Sequence, residues 1–196
     1  WYIDQALTGK YRKYNCLPSC AVMIVKWVRE DFRGTVREIR QQYPHYYGWS
    51  FNPFKSYLRN NEVEYSRLFF DTNDKSEGIK DLKEKIETGN IVLINLDIRY
   101  IERETREGVR INRYYGPRYN QNELIEDSLN FGHAIIVKGY AEVDDKIYFE
   151  VYDPASGNMT YEDGSLIGKN RYYEAEQLID AIYNWYEIGY VIEDHS

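Results

Sequence analysis

From residue 17 onward the apolar positions Leu17, Cys20, Ala21, Ile24, Trp27 and Val28 recur at three- and four-residue spacing, which is one face of a helix. Pro18 falls in the first turn, where its missing N–H is not needed, so this helix is predicted to start at about Cys16. A second helical stretch covers 35–42 and stops before Pro44, and Ser50 is placed to cap a third through Phe54 and Leu58. Residues 63–70 read as a strand. Ile79, Leu82 and Ile86 form one stripe of an amphipathic helix over 74–87, ended by Gly89. Beyond it the period shortens: 91–98 reads as a strand, and 132–140 and 147–152 as two more, joined through 142–146 as a hairpin. A helix over about 173–186, containing Leu178, Ile179 and Ile182, and a strand over 188–192 close the chain.

Helices first and sheet second indicate an α+β architecture. With 196 residues and no internal repeat, the chain reads as a single domain, mainly helical over 1–89 and mainly sheet over 90–196. Residues 99–130 interrupt the second half as an insertion. They hold six Arg against three Glu by residue 118, together with Tyr100, Tyr114, Tyr115 and Tyr119, and read as a solvated surface excursion, a lid or a reader of acidic substrates.

Apolar residues make up 43% of the chain and charged residues 29%, ordinary for a globular protein, so disorder is not expected. A net charge of −7 argues against nucleic acid as a partner, because that footprint shows as a net basic domain or face. The longest apolar run, 21–25, is far short of the roughly 20 residues that span a bilayer. The chain opens at Trp1 without an initiator Met, which reads as a processed or trimmed N-terminus. Two Cys four residues apart on one helix are not the staple of a small secreted scaffold, and one helical turn is an awkward span for a disulfide.

Those cysteines differ in position. Cys16 stands at the helix start, where free N–H groups and the positive end of the dipole stabilise a thiolate. Such a site lowers a thiol from about 8.5 to somewhere between roughly 3.5 and 7.5. Cys20 belongs to the apolar stripe and reads as core. Of three His, His45 lies in a Tyr/Pro loop and His195 near the C-terminus, whereas His133 follows Gly132 at the head of a strand. Asp153 ends the partner strand before Pro154. Counted back from a turn near 143–144, His133 lies opposite roughly 153–155, within reach of the Asp153 carboxylate. Gln5 precedes Cys16 by eleven residues, and its amide could donate to an oxyanion beside the Cys16 N–H. Each residue alone has an ordinary structural role; together and in this order they form a Cys-His-Asp constellation. Asp71-Thr72-Asn73-Asp74-Lys75 opens like a calcium loop, but Lys75 occupies a ligand position. Cys16, Cys20 and His133 lack a fourth zinc ligand.

Several segments resemble the papain-fold bacteriocin-processing peptidases and their stand-alone bacterial relatives, the double-glycine peptidase-like proteins. Cys16-Leu17-Pro18-Ser19-Cys20-Ala21-Val22-Met23 is similar to the family's Cys-Gly-Pro nucleophile motif and its helix. Gln5 stands where the family keeps its oxyanion glutamine. Gly132-His133-Ala134-Ile135-Ile136-Val137-Lys138-Gly139-Tyr140 resembles its histidine strand, and Tyr152-Asp153-Pro154 its Asp-Pro. Leu17 stands in place of the family's glycine, and 99–130 has no counterpart.

The resemblance implies a papain-like cysteine peptidase in which Cys16 is the nucleophile, His133 the base, Asp153 its orienter and Gln5 an oxyanion donor. It implies hydrolysis of a peptide or protein substrate through an acyl-enzyme, with no metal and no organic cofactor. Acyl or peptidyl transfer at the same site is the nearest variant. A papain-like binding module with Leu17 blocking the cleft stays open as a second class. The stand-alone relatives imply a bacterial protein that is secreted or held at the cell envelope; the sequence leaves a cytoplasmic one open. It does not speak to oligomeric state.

Overall fold

The computed structural model describes residues 1–44, 48–71, 74–101 and 132–193. Helix α1 spans Cys16–Val28, with residues 17–25 all buried. Helix α2, Val36–Gln42, begins with a capping box: Thr35 Oγ1 accepts from the Glu38 N–H while the Glu38 carboxylate accepts from the Thr35 N–H. Helix α3 spans Phe51–Asn60, strand β1 Ser66–Phe69 and helix α4 Lys75–Glu87. Asp74 caps α4 by accepting from the N–H groups of Ser76 and Glu77. Strands β2 (Ile91–Asp97), β3 (Gly132–Val143), β4 (Lys146–Tyr152) and β5 (Lys169–Glu174) follow, then α5 (Ala175–Tyr183) and β6 (Tyr186–Ile192).

The strands form one sheet in the order β1-β6-β2-β3-β4-β5, every neighbouring pair antiparallel. Because side chains alternate across a strand, β2 and β3 serve two cores. Ile91, Leu93, Ala134 and Ile136 pack with α1, Phe54 and Leu58 on one face. Val92, Ile94, Ile135 and Val137 pack with Leu82 of α4 and Leu178, Ile179 and Ile182 of α5 on the other. This explains why β2 reads as a continuous apolar run. Helices α1 to α3 cover one face, α4 and α5 the opposite one.

The hairpin is tighter than the sequence suggests. Val143 pairs with Lys146, leaving Asp144 and Asp145 as a two-residue turn with φ of 50° and 61°, the left-handed conformations that a tight hairpin turn uses. A register shift between Val137 and Gly139 then sets Tyr152 opposite Ile136, so the residue after Tyr152 emerges beside the His133 end of β3. At that same end β2 stops, with Asp97 paired to Gly132.

Two expectations are corrected. The helix expected from residue 173 begins at Ala175, because Tyr173 and Glu174 complete β5, an edge strand that the sequence reading missed. The strand expected over 63–70 contracts to Ser66–Phe69, with Val63 buried in the loop before it. Most of the expected insertion (102–130), together with His45, His195, Thr72 and Asn73, lies outside the described residues.

Candidate active site

Cys16 is the first residue of α1 and is partly exposed, whereas Cys20 is fully buried; both are free thiols. The turn that presents Cys16 is held from below. Asn15, fully buried, receives Arg40 Nε–H on Oδ1 at 2.7 Å and donates Nδ2–H to Thr8 Oγ1 at 2.7 Å. Thr8 in turn donates to the Gln5 carbonyl at 2.5 Å, and a second Arg40 nitrogen donates to the Tyr14 carbonyl at 2.8 Å. The Cys16 turn and the Gln5 turn are thus one hydrogen-bonded unit. Cys20, one turn further along α1, donates its thiol to the Ala134 carbonyl at 3.4 Å, which ties the helix to β3.

His133 is buried, and its Nε2–H donates to Asp153 Oδ1 at 2.8 Å. With Nε2 occupied by the carboxylate, Nδ1 is the nitrogen left for Cys16, and the two side chains are hydrogen-bonded. Burial pulls the imidazole toward neutrality, but the Asp153 charge and hydrogen bond, followed by Cys16, outweigh it and push its pKa up to about 10. Burial likewise opposes the Cys16 thiolate. The hydrogen bond and charge of His133, then the N–H groups of Ala134 and Leu17, reverse that and lower the thiol below its ordinary value. Both shifts run in the direction of a thiolate–imidazolium pair. Cys20, with no such partner, has its thiol pushed well up by burial, next to the charges of Cys16 and Asp153.

Asp153 is fully buried and held far below the ordinary carboxyl range: burial would raise it, but the charges of His133 and Arg171 and the hydrogen bonds of His133 and Tyr173 prevail. Its peptide is fixed by the Asp153 N–H donating to the Gly168 carbonyl at 2.9 Å and by the Tyr2 hydroxyl donating to the Asp153 carbonyl at 2.7 Å. Tyr2 also hydrogen-bonds Ser156 Oγ, which accepts from the Gly168 N–H at 2.8 Å. Beside His133, the Trp185 indole lies on Gly132 so closely that a Cβ there would overlap it.

Gln5 begins a short 3₁₀ turn, Gln5–Leu7, and its backbone N–H donates to the Pro154 carbonyl at 2.7 Å. One N–H of its side-chain amide donates to the Arg12 carbonyl at 3.0 Å, and its Oε1 is buried without a partner among the described residues. Of the four residues singled out in the sequence, Cys16, His133 and Asp153 are in one hydrogen-bonded line, and Gln5 is joined to the same assembly through its backbone. Arg171, Tyr173, Tyr2 and Arg40 were missed. The available signal was Arg171 and Tyr173 alternating in Lys169-Asn170-Arg171-Tyr172-Tyr173-Glu174, which becomes a strand pattern once an inward Arg is allowed a carboxylate partner. Among the described residues no cluster of His, Cys, Asp and Glu is arranged to hold a metal ion, and no helix is long and apolar enough to cross a membrane.

No family model matches the chain, and no curated protein matches it in sequence. Among solved structures, a protein from Bacillus anthracis, provisionally described as a C39-like peptidase, superposes with a TM-score of 0.58 at 11% identity, over 100% of this chain and 95% of that one. An overlay that complete at so low an identity is a likeness of fold: helices and antiparallel sheet here are arranged as in a C39-like peptidase.

Proposed function

We propose that this chain is a cysteine peptidase that cleaves peptide bonds through a Cys16 acyl-enzyme. The observation that carries the reading is the line Cys16, His133, Asp153, with the sulfur at the first residue of a helix and the imidazole bonded on both sides. A structural cysteine has no use for that arrangement, since burial alone makes a thiol inert. A neighbour of peptidase description supports hydrolysis as the reaction.

In this reading Sγ of Cys16, already a thiolate, attacks the carbonyl carbon of the scissile amide. The oxyanion is received by the Cys16 N–H and by the second amide hydrogen of Gln5, the first being engaged by Arg12. The imidazolium of His133 gives its Nδ1 proton to the departing amine, and the C–N bond breaks to leave a thioester. His133, now neutral, takes a proton from water, whose oxygen displaces the sulfur and releases the acid. Asp153 keeps Nε2 protonated throughout, so Nδ1 is the nitrogen that exchanges the proton.

The test is the pH dependence of Cys16 alkylation by iodoacetamide, read by mass spectrometry in the native chain and in His133→Ala. Fast labelling of Cys16 below pH 7, slowed by the substitution while Cys20 stays protected, is expected, together with peptide cleavage that Cys16→Ala abolishes. Labelling only near the ordinary thiol pKa of about 8.5, indifferent to His133, would refute the reading.

A further inference from the structure

Asp153 receives four hydrogen bonds, two on each oxygen. Oδ1 accepts from His133 Nε2–H and the Ala155 N–H, both at 2.8 Å. Oδ2 accepts from Arg171 Nη1–H at 2.9 Å and from the Tyr173 hydroxyl at 2.6 Å. Arg171 is itself fixed, with Nε–H donating to the Ile167 carbonyl at 2.9 Å and Nη1–H to Tyr173 Oη at 3.1 Å, and it is 0% exposed. Taking a guanidinium and a carboxylate out of water is poorly repaid as stability against apolar residues of the same volume. A carboxylate that had only to orient an imidazole would need neither the second cation nor the second oxygen filled.

We propose that Arg171 is a positioning residue of the triad: with Tyr173 it occupies Oδ2 of Asp153 so that Oδ1 alone faces His133, and its charge offsets that of Asp153 so that His133 can still release its proton. This deepens the peptidase reading and rests on Cys16 and His133 being the reacting pair. The argument is one of charge. Thiolate, imidazolium, carboxylate and guanidinium sum to zero, which a buried site can hold. Without Arg171 the site loses one positive charge; the thiolate is then harder to form and the imidazolium holds its proton more tightly. Arg40 of α2 is a second cation facing the cluster, but its charge acts on Cys16 from beneath that turn, where it hydrogen-bonds Asn15 and Tyr14, whereas Arg171 is the guanidinium bonded to Asp153. Tyr2 from the N-terminal segment, Cys20 from α1 and Tyr173 from β5 are kept neutral by burial, while Asp4 acts on Tyr2 from the N-terminal turn and Tyr161 on Arg171 from the loop before β5.

The experiment compares pH profiles of Cys16 alkylation in the native chain, Arg171→Met and Arg171→Lys, with melting temperatures alongside. Removing the charge is expected to move both limbs of the profile, thiolate formation and imidazolium deprotonation, to higher pH by about one unit. Lysine is expected to restore them. If Arg171→Met does not fold, Arg171→Gln, which keeps a donor to Oδ2 without the charge, is read in its place. A lower melting temperature with both limbs unmoved would overturn the proposal and leave Arg171 a residue of the fold. Limbs that move equally in the lysine variant would overturn it as well. Alkylation needs no substrate, so failure to find a cleaved peptide does not touch this test; a native profile indifferent to His133→Ala removes both readings together.

Discussion

The backbone N–H of Gln5 donates to the carbonyl of Pro154 at 2.7 Å, joining the start of the chain to the turn that follows Asp153. Asp4 reinforces the joint, since Oδ1 accepts from the Ala6 N–H at 2.9 Å and Oδ2 from the Asn158 N–H at 2.7 Å, in a side chain only 4% exposed. Asp4→Ala leaves two part-buried N–H groups without their acceptor and is expected to lower stability by about 1–3 kcal/mol, at roughly 0.5–1.5 kcal/mol for each bond lost. Urea denaturation measures it. Because the same joint holds the Gln5 turn, cleavage is expected to fall further than the loss of folded protein explains.

Gln5→Ala tests the oxyanion role separately. Loss of one oxyanion donor is expected to lower kcat by roughly 10²–10³-fold with little change in KM. The alkylation rate of Cys16, which involves no oxyanion, should be unaltered; a slowed alkylation would mean that Gln5 supports the nucleophile turn instead.

Asp153→Asn places a neutral group between two cations. Arg171, fully buried, then lacks its counter-charge, and a loss of about 3–5 kcal/mol is expected from breaking a buried pair on one side. Turnover should fall roughly 10⁴-fold because the imidazole no longer has its tautomer fixed. Combining Asp153→Asn with Arg171→Met should restore part of the stability and none of the turnover. Strictly additive losses in the double variant would deny the coupling.

The pH dependence of stability follows from counting protons. Between 6.5, the ordinary imidazole value, and about 8.5, the ordinary thiol value, the unfolded chain holds one proton on Cys16 and the native pair holds one on His133. The pair therefore contributes no slope there. Below 6.5 the unfolded imidazole takes a second proton that the native pair refuses until its lowered thiol value is reached, so stability falls with falling pH. Above about 8.5 the unfolded thiol loses its proton while His133 keeps its own to about 10, so stability falls with rising pH. In Cys16→Ala the plateau disappears. His133, still raised by Asp153, gives stability that is full below 6.5 and is lost at about 1.4 kcal/mol per unit as pH rises through its native value. Urea midpoints across pH 5 to 10 decide it, and parallel curves for the two proteins would contradict the ion pair.

Gly168 is the point where chain must pass close to chain. A Cβ there would overlap the Asp153 carbonyl and crowd Tyr2 Oη and Ser156 Oγ. Gly168→Ala is expected to lower stability by about 1–3 kcal/mol, the usual range for overpacking, and to weaken cleavage by displacing Asp153. Gly48→Ala, in open space, is the matched control.

The helix that begins at Cys16 was legible because its apolar period and Pro18 define a start within a residue. The His133–Asp153 contact was legible because antiparallel pairing turns a turn position into arithmetic, and the register shift near Gly139 altered the count too little to matter. β5 was not legible. Its inward residues are Arg171 and Tyr173, and an inward arginine makes sense only once Asp153 is known to stand beside it. The Asn15–Arg40 bond was hidden for the same reason: a polar pair between separate elements leaves no periodic trace in either.

Asp97 and Gly132 are partners across the ladder, and the carboxylate of Asp97, 0% exposed, holds the Arg99 guanidinium just past that rung. The thirty-four residues between them thus leave and return through a doorway one rung wide, directly beside His133. Closing such a span grows only slowly more costly with length, each doubling adding about 0.6 kcal/mol. A change in the length of that stretch is therefore expected to cost little stability in the frame that holds His133.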